Sequence, residues 1–224
     1  MTRAVVHNIN FHGIGEPPRE LEPGEEQVWL PLQRFLATLD ALHGRDDVRL
    51  SFDDSNRSDV DVALPALLER RMTATFFVLA GRLDDPHHLG VEDLRQLAES
   101  GMRIGSHGLH HRDWRRCGSD ELQAELVDSR RILEAVLGRA VTHAAIPFGS
   151  YDRRVVHRAR RTAGYDRLFT SDGGPADDGA WLQPRMTVCD DGIAPATLIQ
   201  RSQAHAHAKR AVKRSVKRWR RPWR

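Results

Sequence analysis

The sequence predicts an α/β protein whose strands run parallel and are joined by crossover helices. Short apolar runs alternate with stretches of helical periodicity, strand then helix, about six or seven times along 224 residues. That length gives one sizeable core and no comfortable second one. Polar residues able to carry chemistry gather where the predicted strands end. Periodicity alone leaves a closed barrel and an open doubly wound sheet equally available.

Residues 4–11 read as a first strand. Pro31 suits the first turn of a helix carrying Leu32, Phe35, Leu36, Leu39 and Leu42, with Gly44 as its stop. Residues 48–52 form a second strand and an Ala- and Leu-rich helix follows around 60–71. A buried-looking strand over 74–79 leads to a short helix marked by Val91, Leu94, Leu97 and Ala98, then a strand over 102–105. A long helix opens at Ser119, carries Leu122, Leu126, Leu133 and Leu137, and ends at Gly138. Residues 141–146 are a strand, 152–163 a helix and 167–170 a strand. The Gly-, Asp- and Pro-containing stretch 171–183 reads as loop, and 183–188 as the last strand.

The net charge of +3 hides a split. Residues 192–224 carry ten of the 34 basic residues and none of the 31 acidic ones, so residues 1–191 sum to −7. The predicted division is therefore a folded body over 1–191 and a basic tail over 192–224. On helical spacing Ala204, Ala208, Val212, Val216, Trp219 and Trp223 share a stripe, with Lys and Arg on the remaining arc. The tail is expected to meet an anionic membrane surface through residues 202–224, with nucleic acid the weaker reading. Residues 1–8 lack an apolar signal region, so a cytoplasmic location is expected, peripheral to the inner face of the membrane. Cys117 and Cys189 form no disulfide or metal-binding pattern.

Three segments stand out. Asp53 and Asp54 end the second strand, where two carboxylates can divide labour between holding a metal and taking a proton; Asp pairs also serve ordinary turns. His107 and His111, in GSHGLHH, have the spacing that turns two imidazoles toward one ion, although an HxxxH spacing alone is weak. In AAIPFGSYD a strand runs into Pro147 and Gly149, and such a turn can aim a backbone N–H outward as an oxyanion donor, although an ordinary strand-to-helix connection reads the same way.

Together, FDD, TATFFVLAG, MRIGSHGLHHRDW and PFGSYD, in this order over roughly residues 3–190, resemble the NodB-homology domain of the polysaccharide deacetylases, carbohydrate esterase family 4. The resemblance implies an irregular (β/α) barrel of about seven strands. It implies Asp53 as general base, the Phe148 N–H as oxyanion donor, and Asp54, His107 and His111 as ligands of a divalent metal, most suitably Zn²⁺ for two imidazoles and a carboxylate. The expected reaction is hydrolysis of the N-acetyl group of an N-acetylated sugar, nucleotide- or lipid-linked. Hydrolysis of another linear or cyclic amide, or an inactive glycan-binding protein recruited to membranes, are the alternatives.

The sequence departs from the family pattern in four places. Ser55 stands where many members have Gly. Ala145 stands where many have an Arg that orients the catalytic carboxylate, and Arg185 could reach that carboxylate from another strand. The late Leu-x-His that supplies a general acid is missing, which leaves His12, after the first strand, as leading candidate. The family's Asp-rich fourth motif is not recognisable, and the sequence leaves open whether Thr170–Gly174 replaces it.

Overall fold

The computed structural model describes residues 4–83 and 85–204. Its apolar runs become strands buried along most of their length: β1 (Val5–Phe11), β2 (Val48–Phe52), β3 (Ala74–Val78), β4 (Arg103–Ser106), β5 (His143–Ala145), β6 (Arg167–Thr170), β7 (Ala176–Asp177) and β8 (Leu182–Thr187). The order is β2-β3-β4-β5-β6-β8-β1, and β1 pairs back onto β2. The seven strands are parallel throughout and close into a barrel, as the family resemblance implies. β7, inside the stretch expected to be loop, adds antiparallel to β1 through Val5–Asp177 and Val6–Ala176. Two residues are too few to leave a period in the sequence.

The crossovers are α1 (Leu32–Leu42), α2 (Leu64–Glu69), α3 (Val91–Glu99), α4 (Ser119–Gln123), α5 (Ser129–Leu137) and α6 (Arg153–Arg161). The single long helix expected from Ser119 to Gly138 is interrupted by a wide π turn over Ala124–Asp128. A second such turn, Asp59–Ala63, precedes α2. Gly138 closes α5 with a φ of 63° and donates its N–H to the Glu134 carbonyl.

Phe11, Phe52 and Phe76 occupy register-matched positions on three adjacent strands. Their rings stack, with centroids 5.1 Å apart for Phe11–Phe52 and 4.7 Å for Phe52–Phe76, and Phe35 of α1 meets Phe11 edge-on at 5.3 Å. Each aromatic pair contributes about 0.5–1.5 kcal/mol beyond area burial. Because side chains alternate along a strand, this ladder turns the following residue, Asp53 after Phe52, to the opposite face.

Packing continues past the expected division at residue 191. Leu198 and Ile199 are buried in the main core, and Ser202 bonds the buried His7 ring at 2.8 Å. The rest of the amphipathic stripe, from Ala208 on, lies outside the described residues. Among the described residues no helix is long and apolar enough to cross a membrane.

Candidate active site

The chemistry-bearing residues meet at the C-terminal ends of the strands. Asp53 continues the β2 ladder by one bond, its N–H donating to the Phe11 carbonyl, and Asp54 then takes a φ of 75°. Ser55 follows at a φ of 59°, the left-handed region that favours glycine, which explains why Gly suits this position. Its hydroxyl offsets the strain by accepting the Leu79 N–H at 2.7 Å.

Asp54, His107 and His111 present one ligand atom each, all within 4.8 Å of one another. Nε2 of both imidazoles lies 3.3 Å from Asp54 Oδ1, a buried oxygen that accepts no hydrogen bond. The His107 Nδ1 donates to the Ala145 carbonyl at 3.0 Å, which leaves Nε2 as the nitrogen available to ligate. Burial opposes protonation of this ring, but Asp53 and Asp54 raise its pKa, so a metal would displace a proton there. Burial opposes ionisation of Asp54, but His107, His12 and His111 around it hold its carboxyl well below the usual range. Burial brings the His111 ring down to about 4 against the pull of Asp54, so His111 is a neutral donor near pH 7. Asp53 and Asp54 thus place two carboxylates held below their ordinary range side by side in a buried cluster, and a cation on the triad would lie against both. Donor set, orphan oxygen and charge all fit a divalent ion.

Asp53 is held by Arg185, whose two terminal nitrogens donate to Oδ1 and Oδ2 at 2.7 Å each. Arg185 is 1% exposed, so it reaches that carboxylate inside the barrel. It arrives from β8, and its guanidinium lies over the Phe77 and Phe169 rings at 5.0 and 5.9 Å. Those rings pack with Ala145 in a small apolar cluster, so Ala145 leaves the space in which the guanidinium rests. Burial would raise the Asp53 carboxyl, but Arg185 and His107 beside it take it below its ordinary value. Asn10 donates to Oδ2 at 3.0 Å and accepts from Arg185 at 2.7 Å and from Ser51 at 2.6 Å. These three bonds to Asp53 fill three of about four acceptor positions and leave one on Oδ1.

His12 follows β1 and is close enough to act electrostatically on both carboxylates; its Nδ1 is buried with no bonding partner. Phe148 has a φ of 56° and is 66% exposed, with its ring 4.4 Å from that of His111. Pro147 has no N–H, and those of Gly149 and Ser150 return to the Ile146 and Pro147 carbonyls. The Phe148 N–H is the turn's remaining donor. In the Thr170–Gly174 segment, Asp172 accepts from Tyr151 at 2.6 Å and from Thr170 at 2.9 Å.

Sequence reasoning missed Asn10, Ser51 and Glu125. Glu125 is buried in the π turn between α4 and α5 and accepts the N–H groups of Leu109 and His110 at 2.9 Å each, and the Trp114 indole at 3.3 Å. It thereby fixes the loop between the two histidine ligands. Gly108 is required there: its φ is 93° and a Cβ would lie 2.3 Å from the Glu125 carboxylate.

The family model for polysaccharide deacetylase matches residues 42–167, more than half of the chain. The chain belongs to the polysaccharide deacetylase family. It is 28% identical over 156 residues to the chitooligosaccharide deacetylase of Rhizobium leguminosarum bv. trifolii, covering 68% of each protein. It is 27% identical over 156 residues to YxkH of Bacillus subtilis (strain 168), which carries the same family's name, across 69% of this chain and 56% of that protein. The chain thus spans little more than half the length of that relative. Among solved structures, the Streptococcus pyogenes deacetylase PplD in complex with acetate superposes with a TM-score of 0.78 at 21% identity, over 90% of this chain and all of that one. IcaB from Ammonifex degensii gives 0.70 at 18% identity, over 88% and 97% of the two chains. These two likenesses establish the deacetylase barrel as the fold.

Proposed function

We propose that this deacetylase-family protein is a metal-dependent hydrolase that removes the acetyl group from an N-acetylated sugar, giving free amine and acetate. The observation that carries the reading is the Asp54–His107–His111 triad beside an Asp53 clamped by Arg185. The triad is suited to Zn²⁺, which would supply Lewis-acid polarisation of the acyl oxygen and of the attacking water. Asp53, with its free acceptor position on Oδ1, takes the water proton, a contribution of about 10²–10⁴-fold. Arg185 and Asn10 keep that carboxylate ionised and aimed. The Phe148 N–H is the donor for the developing oxyanion, worth about 3 kcal/mol. His12, with its unpartnered Nδ1, is the group placed to return a proton to the leaving amine.

The direct test pairs elemental analysis with acetate release from nucleotide- and lipid-linked N-acetylhexosamines. One divalent ion per chain and metal-dependent acetate release are expected. Unchanged metal content in the His107→Ala/His111→Ala variant would refute the site, and acetate release unaffected by chelation would refute the mechanism.

We also propose a cytoplasmic location at an anionic membrane surface, on the strength of the charge run beyond Ala204. Co-sedimentation with anionic and neutral vesicles should distinguish the full chain from one ending at Ala204. Equal binding of the two would remove the tail from the account.

A further inference from the structure

The barrel has a second polar mouth, at the end opposite the candidate active site. The N-terminal ends of β2, β3 and β4 and the segment entering β5 line a cavity of about 650 Å³. Arg49, Arg103 and Arg139 are in its wall together with Thr73, Thr75 and Thr142, and no Asp or Glu is. A smaller cavity of about 80 Å³ continues inward to Asn8 and Ser51, bordered by Arg49, Arg103, Arg167 and His143, again with no carboxylate. A lining without a carboxylate is unexpected in a body that sums to −7 over residues 1–191, and the carboxylates behind it, Asp166 and Asp178, act on His143 and Arg167.

The guanidiniums here bond to neutral partners. Arg49 donates to the carbonyls of Asp46 at 2.7 Å and Val48 at 2.9 Å, and Arg139 to the Met102 carbonyl at 3.4 Å. Arg103 donates to Nε2 of the buried His143 at 3.0 Å, while Nδ1 of the same ring bonds the Thr142 hydroxyl at 2.9 Å. Burial, reinforced by Arg103 and Arg167, brings His143 down to about 4, so it stays neutral and positions Arg103 without cancelling its charge. Arg167 is partly compensated, 3.5 Å from Asp178. Elsewhere Arg34, Arg57, Arg70 and Arg130 each have a carboxylate within 3.0 Å.

We propose that this N-terminal mouth is a binding site for a small phosphorylated ligand, with the Arg49, Arg103 and Arg139 guanidiniums on phosphate oxygens and the three threonines around them. Guanidinium forks match phosphate geometry, and three of them exceed what a monocarboxylate can use. The cavity lies within the 300–1,000 Å³ range typical of small-molecule sites. None of the three arginines or three threonines takes part in the proposed deacetylation.

Calorimetric titration of the metal-loaded full chain with inorganic pyrophosphate tests the site. The parent should bind, and Arg49→Ser/Arg103→Ser should weaken binding at least tenfold while the basic tail is unchanged. Thr73→Glu, at an exposed position, places a carboxylate in the wall without disturbing packing and should weaken binding in the same direction. Acetate release should stay at the parent rate in both, and melting temperature at the parent value in Thr73→Glu; the double variant loses the donor to His143 and should melt a few degrees lower. A parallel titration with phosphatidic acid vesicles separates the sources of phosphate. Weakened vesicle binding in both variants would indicate a lipid headgroup, and an effect confined to pyrophosphate a soluble compound. Pyrophosphate bound equally by parent and variants, or not at all by the parent, would overturn the proposal.

Discussion

Asp53 ends β2 and Asp59 opens the π turn before α2, and both carboxyls are almost wholly buried, 3% and 1% exposed. Asp53 receives two bonds from Arg185 and one from Asn10. Both oxygens of Asp59 are buried without a partner. Burial pushes both carboxyls up, yet the Arg185 guanidinium takes Asp53 below its ordinary value, while the charges of Asp54 and Asp53 push Asp59 further above it. Burial therefore does not decide charge in this region; the partner does. The strand end, reached by a guanidinium from β8, keeps an ion, and the neighbouring helical turn keeps a neutral acid.

The largest expected effect breaks the paired side. Asp53→Asn should lower kcat at least about 10²-fold, because the general base is gone while the amide nearly preserves shape. It also strands Arg185 in the barrel, and an uncompensated buried charge costs about 3–5 kcal/mol. A drop in melting temperature should thus accompany the loss of turnover, with metal content retained. Loss of metal in place of turnover would exchange the roles of Asp53 and Asp54.

Arg185→Ala attacks the same pair from the other side. Asp53 then keeps burial without its main counter-charge, so its pKa must rise. The acid limb of the kcat/KM profile should move to higher pH, and stability should fall by about 3–5 kcal/mol. In the parent, Asp53 stabilisation is fully present above its ordinary value of 3.8 and is lost as pH falls below it. An unchanged pH profile in Arg185→Ala would reduce this arginine to a packing role.

Glu125→Ala tests a carboxylate that acts through backbone. The Leu109 and His110 N–H groups lose their acceptor, at about 1–3 kcal/mol for each donor left unsatisfied. Metal affinity should fall about 10–100-fold, the usual cost of losing outer support for ligands. Parent-like affinity would show that the loop holds its shape unaided.

The distribution of these residues explains what could be read in the chain. FDD and HGLHH carry local spacing, and strands such as β2 and β6 have the boundaries that their apolar runs suggest. Barrel closure depends on β1 pairing with both β2 and β8, and contacts between segments so distant leave no period. Arg185 lies 132 residues from Asp53 and was reachable only by asking what replaced the missing motif arginine. Asn10 and Ser51 look like any polar strand residue, and Glu125 like any surface glutamate of an amphipathic helix. The π turn that buries Glu125 interrupts the helix without a proline or glycine to mark it. The packing of Leu198, Ile199 and Ser202 leaves no trace in charge composition, which changes at the last acidic residue, before they begin.

The smallest effect sharpens the comparison from the unpaired side. Below pH 3.8 Asp59 is protonated in folded and unfolded chains alike, so it adds no pH dependence there. As pH rises above 3.8 the unfolded chain releases this proton while the folded chain keeps it, and stability is lost with each step. Asn resembles the protonated acid in size and polarity and cannot ionise. Asp59→Asn should therefore match the parent in melting temperature near pH 3.5 and exceed it as pH rises, until the folded carboxyl ionises as well, by a few degrees for about 1 kcal/mol. Acetate release should stay near the parent rate, since no bond joins Asp59 to the triad or to Asp53. A constant difference across the pH range would mean that Asp59 is not the neutral member of the pair. A variant less stable only at high pH would mean that its carboxylate is ionised and valued there, and the contrast with Asp53 would collapse.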